Sequence, residues 1–224
     1  MKLSVIIPVY NEAGNIQELV KRVMSVPVDK EVILIDDAST DGTSKIIEER
    51  ILKAYPLIRT ERHPKNLGKG AAILTGLRQV RGDVIIIQDA DLEYDPKDYL
   101  KILRKFRDPA ISVVYGTRFW GINKYLFVWH WFCNRFLGAH YEIRYLHHFL
   151  GIQTLNLLAN ILYSANISDE ATCYKAFRRE VLSKIKLKCR GFEFCPEFTA
   201  KARKAGYRID EVPITYHPRS HKEG

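Results

Sequence analysis

Apolar residues fall along this chain in two alternating rhythms. Short continuous runs appear at "LSVIIPV" (3–9), "EVILIDD" (31–37), "LIRTERH" (57–63), "DVIIIQ" (83–88) and "AISVVYG" (110–116). Between them, "IQELVKRVMSV", "KIIEERILKAY", "GKGAAILTGLRQV" and "PKDYLKILRKF" repeat apolar residues at helical spacing. Continuous apolar strands alternating with amphipathic helices predict an α/β fold, a mostly parallel central sheet flanked by helices on both faces. After Asp169 the alternation resumes with "TCYKAF", a helix from Arg179, "EFTAKARKAG" with Gly206 as its C-cap, and the strand-like "YRIDEVPITYHP".

Ligands of such sheets bind beyond the carboxyl ends of the strands. Those ends carry Tyr10-Asn11-Glu12, Asp36-Asp37, Asp89-Ala90-Asp91 and Gly116-Thr117-Arg118. Three of the four are acidic, which suits a cation–phosphate pair better than a bare pyrophosphate. The first turn, "VYNEAGN", lacks G-x-G-x-x-G and so disfavours a Rossmann dehydrogenase. "QDADLEYDP" has two readings. A turn can converge Asp89 and Asp91 on Mg²⁺, which prefers one or two carboxylates completed by phosphate oxygens and water. Alternatively, it is an acidic turn opening the next helix, at whose start Asp95 stands, next to Pro96.

Between Tyr115 and Phe149 the texture changes: 12 of the 25 aromatics and all three tryptophans fall there. From Tyr145 to Ser168 there is no charged side chain, and Gln153, Asn156 and Asn160 recur at i, i+3 and i+7 opposite Leu150, Leu155, Leu158 and Leu162. One helix face is therefore amide-rich and the other apolar. Such a segment either lies in a membrane interface or belongs to helices packed on the sheet.

Charge separates the two halves. Residues 1–100 hold 14 Lys/Arg against 16 Asp/Glu, and residues 101–224 hold 21 against 10, so the net +9 resides entirely in the second half. That asymmetry points to an anionic partner. No nucleic-acid-binding motif accompanies it, so a phosphorylated or lipid partner is expected and nucleic acid is not. No run of about 20 apolar residues predicts a spanning helix. Cys133, Cys173, Cys189 and Cys195 form no C-x-x-C pair and, with His147 and His148, fit no zinc spacing; free thiols in a reducing compartment are expected. Because a strand begins at Leu3, no signal peptide is expected. The end at "HKEG" leaves a longer natural protein open.

In order along the chain, "LSVIIPVYNE", "VILIDDASTDGT", "NLGKGAA", "DVIIIQDADLEYDP", "YGTRF", "DEATCYKAFRREVL", "GFEFCPE" and "GYRIDEVPITYHPRS" resemble family 2 glycosyltransferases. The likeness is greatest to polyprenyl-phosphate sugar synthases of the dolichyl-phosphate mannosyltransferase type. It implies a single GT-A domain over 1–224, with a nucleotide-sugar-binding half (1–118), a helical, membrane-interfacial segment (119–168) and an acceptor half (169–224). It also implies an inverting enzyme that moves a hexose from a GDP- or UDP-sugar to a polyprenyl phosphate with Mg²⁺ or Mn²⁺. Such a chain would be cytoplasmic and peripherally associated with the cytoplasmic face of the membrane.

Carried over by position, Pro8, Tyr10, Glu12 and Asp37 would cradle the nucleoside, and Lys69 would lie near the donor. Asp89-Ala90-Asp91 would hold the metal and diphosphate, with Glu93 as a third ligand where relatives often have Gln. Arg219 would close over the diphosphate. Arg118 would receive the acceptor phosphate, and Asp169 would orient acceptor or sugar, or act as a base. Without the resemblance, Tyr10 and Glu12 read as loop caps and Arg219 as a solvated charge. Arg118, at a strand end just before the aromatic segment, is better placed to hold a phosphate than to form a surface ion pair, and Asp169 has the alternative of an N-cap. A phosphomonoester is already ionised near neutral pH, whereas a hydroxyl acceptor needs a general base. Two departures bear on the acceptor: Gln153 replaces an arginine common in relatives, and the 120–143 segment is longer than expected. Transfer to a hydroxyl of a glycan or glycolipid, with Asp169 as base, therefore stays open, as does a non-catalytic nucleotide-sugar- or lipid-binding protein. No Q-x-x-R-W motif of a processive polysaccharide synthase occurs.

Overall fold

The computed structural model describes residues 1–119 and 146–218, with only the backbone for 146–149. Seven strands, β1 (Leu3–Val9), β2 (Lys30–Asp36), β3 (Arg59–Arg62), β4 (Val84–Ile87), β5 (Val113–Thr117), β6 (Lys175–Arg178) and β7 (Ile209–Pro213), form one sheet in the order β3-β2-β1-β4-β6-β5-β7. The helices are α1 (Ile16–Ser25), α2 (Thr43–Ile46), which runs through a π-turn (Ile47–Ile51) into α3 (Leu52–Ala54), α4 (Lys69–Leu77), α5 (Tyr99–Lys105), α6 (Leu146–Tyr163), α7 (Val181–Lys184) and α8 (Phe194–Lys204). Every residue of β1 and β4 is buried, the mark of strands covered on both faces.

One strand breaks the parallel rule. β6 runs antiparallel to both its neighbours, pairing Ile86 with Ala176 and Tyr115 with Lys175. Its start, preceded by Asp169–Tyr174, therefore lies at the same edge as the carboxyl ends of β4 and β5. The approach is close. Gly116 N donates to Tyr174 O at 2.8 Å, and a Cβ on Gly116 would fall 2.6 Å from Ile214 Cγ2 and 2.9 Å from Tyr174 Cβ. Only a glycine admits both neighbours there.

The expected two-faced helix forms, with an unusual orientation. Asn156 Nδ2 donates to Ser168 O (2.6 Å) and its Oδ1 accepts from Glu170 N (2.6 Å). Asn160 likewise brackets Ile167, donating to its carbonyl and accepting from its N–H, both at 2.8 Å. The amide face of α6 is thus turned inward onto the segment leading to β6. Ile161, Leu162 and Leu157 face outward, 67%, 63% and 58% exposed. No helix among the described residues is long and apolar enough to cross a membrane.

Directly after β4, Gln88 is fully buried. Its Oε1 accepts from Tyr99 Oη (2.6 Å) and Tyr174 Oη (2.7 Å), and its Nε2 donates to Asp89 O (3.0 Å). Two elements thereby fix the peptide that presents the next carboxylate. Replacing Gln88 with Leu strands two buried hydroxyls and should destabilise the fold by about 2–4 kcal/mol. Urea denaturation checks this; an unchanged midpoint would mean that the two tyrosines do not depend on this amide.

Candidate active site

A cleft of about 400 Å³ opens at the carboxyl ends of β1, β2 and β4. It is lined by Pro8, Tyr10, Glu12, Asp37, Lys69, Asp89, Ala90 and Asp91, all expected at the donor, whereas Glu93, the expected third ligand, is not among its lining residues. Val9, Asn66, Gly68, Ala72 and Phe192 complete the wall. A cavity of about 440 Å³ at the opposite edge, by the start of β7, lies away from these strand ends. Arg219 and residues 120–145 lie outside the described residues.

The loops around the cleft are tied to one another. Asn11 N donates to Ser39 Oγ (3.0 Å), Thr40 N donates to Asn11 Oδ1 (2.8 Å), and Glu12 N donates to Thr43 Oγ1 (2.9 Å). Asn11, Ala38 and Leu92 all have positive φ, at 54°, 62° and 64°. Strained backbone thus recurs just past three strand ends, held by the surrounding bonds.

Asp37 is only 3% exposed. Its Oδ1 accepts from Leu67 N (2.9 Å) and faces His63 Nδ1 (2.6 Å), and its Oδ2 accepts from Gly68 N (2.8 Å). The carboxylate expected to cradle the nucleoside is therefore engaged in seating the loop that begins α4, while still bordering the cleft. From that seat Lys69, the first residue of α4, reaches Asp89 Oδ1 at 2.5 Å. Burial opposes the charge on Lys69, but Asp89, together with Cys173 and Cys195, holds the ammonium pKa well above its usual value.

The acidic stretch divides as the sequence anticipated at one point. Asp95 accepts from Lys97 N (2.9 Å) and caps the short turn Pro96–Asp98 before α5. Asp91 Oδ1 accepts from Glu93 N (3.1 Å). Glu93 Oε2 accepts from Tyr216 Oη (2.8 Å), and its carbonyl accepts from His217 N (2.8 Å). The geometry thus gives Glu93 the part of a latch on the segment after β7. Among the described residues no three His, Cys, Asp or Glu side chains gather into a metal cage. Asp89 and Asp91 still fit a hard divalent cation, which takes one or two carboxylates and completes its shell with phosphate oxygens and water. The Lys69 ammonium already sits on Asp89 Oδ1, so a cation bound there would share that carboxylate with it.

Beyond β5, Arg118 and the wholly buried Asp169 form a two-pronged pair. Arg118 Nε donates to Oδ2 (2.8 Å), Nη2 to Oδ1 (2.7 Å), and the backbone N of Arg118 also donates to Oδ2 (3.0 Å). Burial opposes the guanidinium charge, but Asp169 overrides it and keeps the Arg118 pKa well above its usual value. The guanidinium also lies 5.1 Å from the Tyr216 ring. Burial and Glu93 push the Tyr216 phenol up to about 12, so it remains a donor across the physiological range. Gln153, at the position where an arginine was expected, accepts from Asn156 Nδ2 (3.2 Å) on the inward face of α6.

Residues 4–186 match the family described as Glycosyl transferase family 2. The chain belongs to this family. It is 30% identical over 220 residues to the low-salt glycan biosynthesis hexosyltransferase Agl6 of Haloferax volcanii, covering 97% of this chain and 48% of that protein. It is 29% identical over 225 residues to the dolichol-phosphate mannosyltransferase of Pyrococcus furiosus, covering 100% of this chain and 58% of that one. The chain thus spans about half the length of these relatives. The fold is that of the GT-A glycosyltransferases. The mannosyltransferase PcManGT from Pyrobaculum calidifontis, solved with GDP-Man and Mn²⁺, superposes with a TM-score of 0.66 at 20% identity, covering 99% of this chain and 58% of that one.

Sequence reasoning identified the acidic strand ends but assigned no part to Tyr216 or Phe192, although both stand in quoted motifs. Replacing Asp169 with Asn would turn an amide donor toward a buried guanidinium. The loss should be about 3–5 kcal/mol, since one member of a buried ion pair is left unmatched. Guanidinium chloride denaturation reads it, and wild-type stability in that variant would contradict a buried, formed pair.

Proposed function

We propose that this chain is an inverting hexosyltransferase that moves a hexose from a nucleoside diphosphate sugar, of the GDP-mannose or UDP-glucose type, to a polyprenyl phosphate. The observation that carries this reading is the Arg118–Asp169 pair beside the acidic cleft. Both carboxylate oxygens of Asp169 face the guanidinium, so Asp169 is poorly placed to accept a proton from a hydroxyl acceptor. A phosphate acceptor needs no such base, because it is already ionised. It needs a cation held in a fixed plane, and an arginine locked by a buried carboxylate supplies one. Similarity to a dolichol-phosphate mannosyltransferase supports the same acceptor class.

In the reaction, an oxygen of the acceptor phosphate forms a bond to the anomeric carbon as the bond to the donor diphosphate breaks. Attack opposite the leaving group inverts that carbon. Pro8, Tyr10 and Glu12 border the nucleoside end, and Arg118 aligns the incoming phosphate. A divalent cation held by Asp89 and Asp91, Mg²⁺ or Mn²⁺, would supply positive charge to the departing diphosphate. The outward leucines of α6 and the basic second half support peripheral contact with an anionic membrane surface.

Incubation with radiolabelled GDP-mannose or UDP-glucose, Mn²⁺ and polyprenyl phosphate should label the organic phase. Label confined to a water-soluble glycan would sink the lipid-phosphate reading. Asp91→Asn should lose at least about 100-fold in turnover. Arg118→Lys, which cannot reproduce the fork, should raise the KM for the lipid phosphate by about 10-fold or more while sparing that for the donor. Flotation with anionic liposomes should carry the protein upward, less so with Ile161 and Leu162 both changed to Ser; equal flotation of the two would remove α6 from the membrane contact.

A further inference from the structure

Phe192 is the most exposed aromatic of the described residues named here, 81% accessible, yet it stands on a segment pinned from several sides. Glu193 Oε1 accepts from Arg190 N (2.6 Å) and Gly191 N (2.9 Å), and those two N–H groups hold the Glu193 carboxyl below its usual pKa. Arg190 O accepts from Ala71 N in α4 at 2.9 Å. Two glycines of "NLGKG" make that approach feasible. A Cβ on Gly68 would fall 2.4 Å from Arg190 O, and one on Gly70 would fall 2.8 Å from Gly191 O. Both close distances are to backbone atoms, which cannot move aside as a side chain can. The loop is therefore seated on the start of α4, and it holds the Phe192 ring at the cleft mouth with its centroid 5.5 Å from Lys69 Nζ.

A phenyl ring held in this way forgoes its own burial, which is unfavourable unless something else covers it. Apart from Tyr10, the cleft it borders is lined by carboxylates, a lysine, an asparagine and small residues, and offers few broad apolar faces. Tyr10, itself 48% exposed, stands on the same cleft at the end of β1. Bases and the C–H faces of sugars both stack on such rings. We propose that Phe192 is a donor-binding residue whose ring forms the outer wall of the cleft and stacks on the nucleoside diphosphate sugar. This rests on the donor reading given above and adds a residue to it. The glycines at 68 and 70 then serve to seat this wall.

Calorimetric titration with GDP, UDP, GDP-mannose and UDP-glucose in the presence of Mn²⁺ tests it, together with the KM for polyprenyl phosphate. In Phe192→Ala the affinity for the nucleotide or sugar nucleotide that wild type binds should fall about 5- to 50-fold, with the acceptor KM unchanged. Phe192→Tyr should restore binding. Because the ring is exposed, the thermal midpoint of Phe192→Ala should match wild type. Unchanged donor affinity overturns the assignment, whether or not the acceptor KM rises; a rise would place the ring against the lipid instead. Wild-type protein that binds none of the four would overturn the donor reading itself, and this inference with it.

Discussion

The carboxylate of Asp37, almost wholly buried at the end of β2, meets two backbone N–H groups and a histidine ring nitrogen. A buried carboxylate without such partners would be strongly unfavourable, so the loop from Leu67 to Gly68 has little freedom to stand elsewhere. Much of the cleft wall follows from that constraint. The loop fixes where α4 begins, and the start of α4 sets the reach of Lys69 to Asp89. The same stretch carries the two glycines on which the Phe192 loop rests. One interior acid thus organises a wall whose visible charges belong to other residues.

The Arg118–Asp169 side of the site depends on a reversal of direction. A parallel β6 would have placed Asp169 at the far edge of the sheet. Running antiparallel between β4 and β5, it brings Asp169 beside Arg118, the residue that follows β5. The segment after β7 then crosses between the two sides, with Tyr216 bonded to Glu93 and its ring beside Arg118. The acidic turn after β4 and the Arg118–Asp169 pair are joined there by side chains of modest size.

Much of this was legible in the sequence because it depends on local chemistry. Apolar runs marked the strands, and the residues just past them identified the cleft. The capping part of Asp95 followed from its place before Pro96. What stayed hidden depends on direction or distance. No periodicity tells that β6 is antiparallel, since its four residues would pair either way. The i, i+3, i+7 spacing of Gln153, Asn156 and Asn160 fixed a face of α6, but only their partners at Ile167, Ser168 and Glu170 turn that face inward. The sequence places Asp37 at the cleft, but does not show that its carboxylate also bonds a loop 30 residues away in sequence. The exposure of Phe192 is a tertiary property with no counterpart in its neighbours along the chain.

The inverted dressing of α6 has a geometric consequence. Its 18 residues form one rod about 27 Å long, and a helix with its side chains is about 10–12 Å across. The leucines lie on one side of that rod, and the peptides flanking Asp169 are gripped on the other. Any apolar surface that received the leucines would therefore stand roughly one helix diameter from the Asp169 segment. Were that surface a membrane, the rod would act as a spacer, setting a depth at which a charged headgroup would reach the guanidinium while its hydrocarbon chain stayed behind.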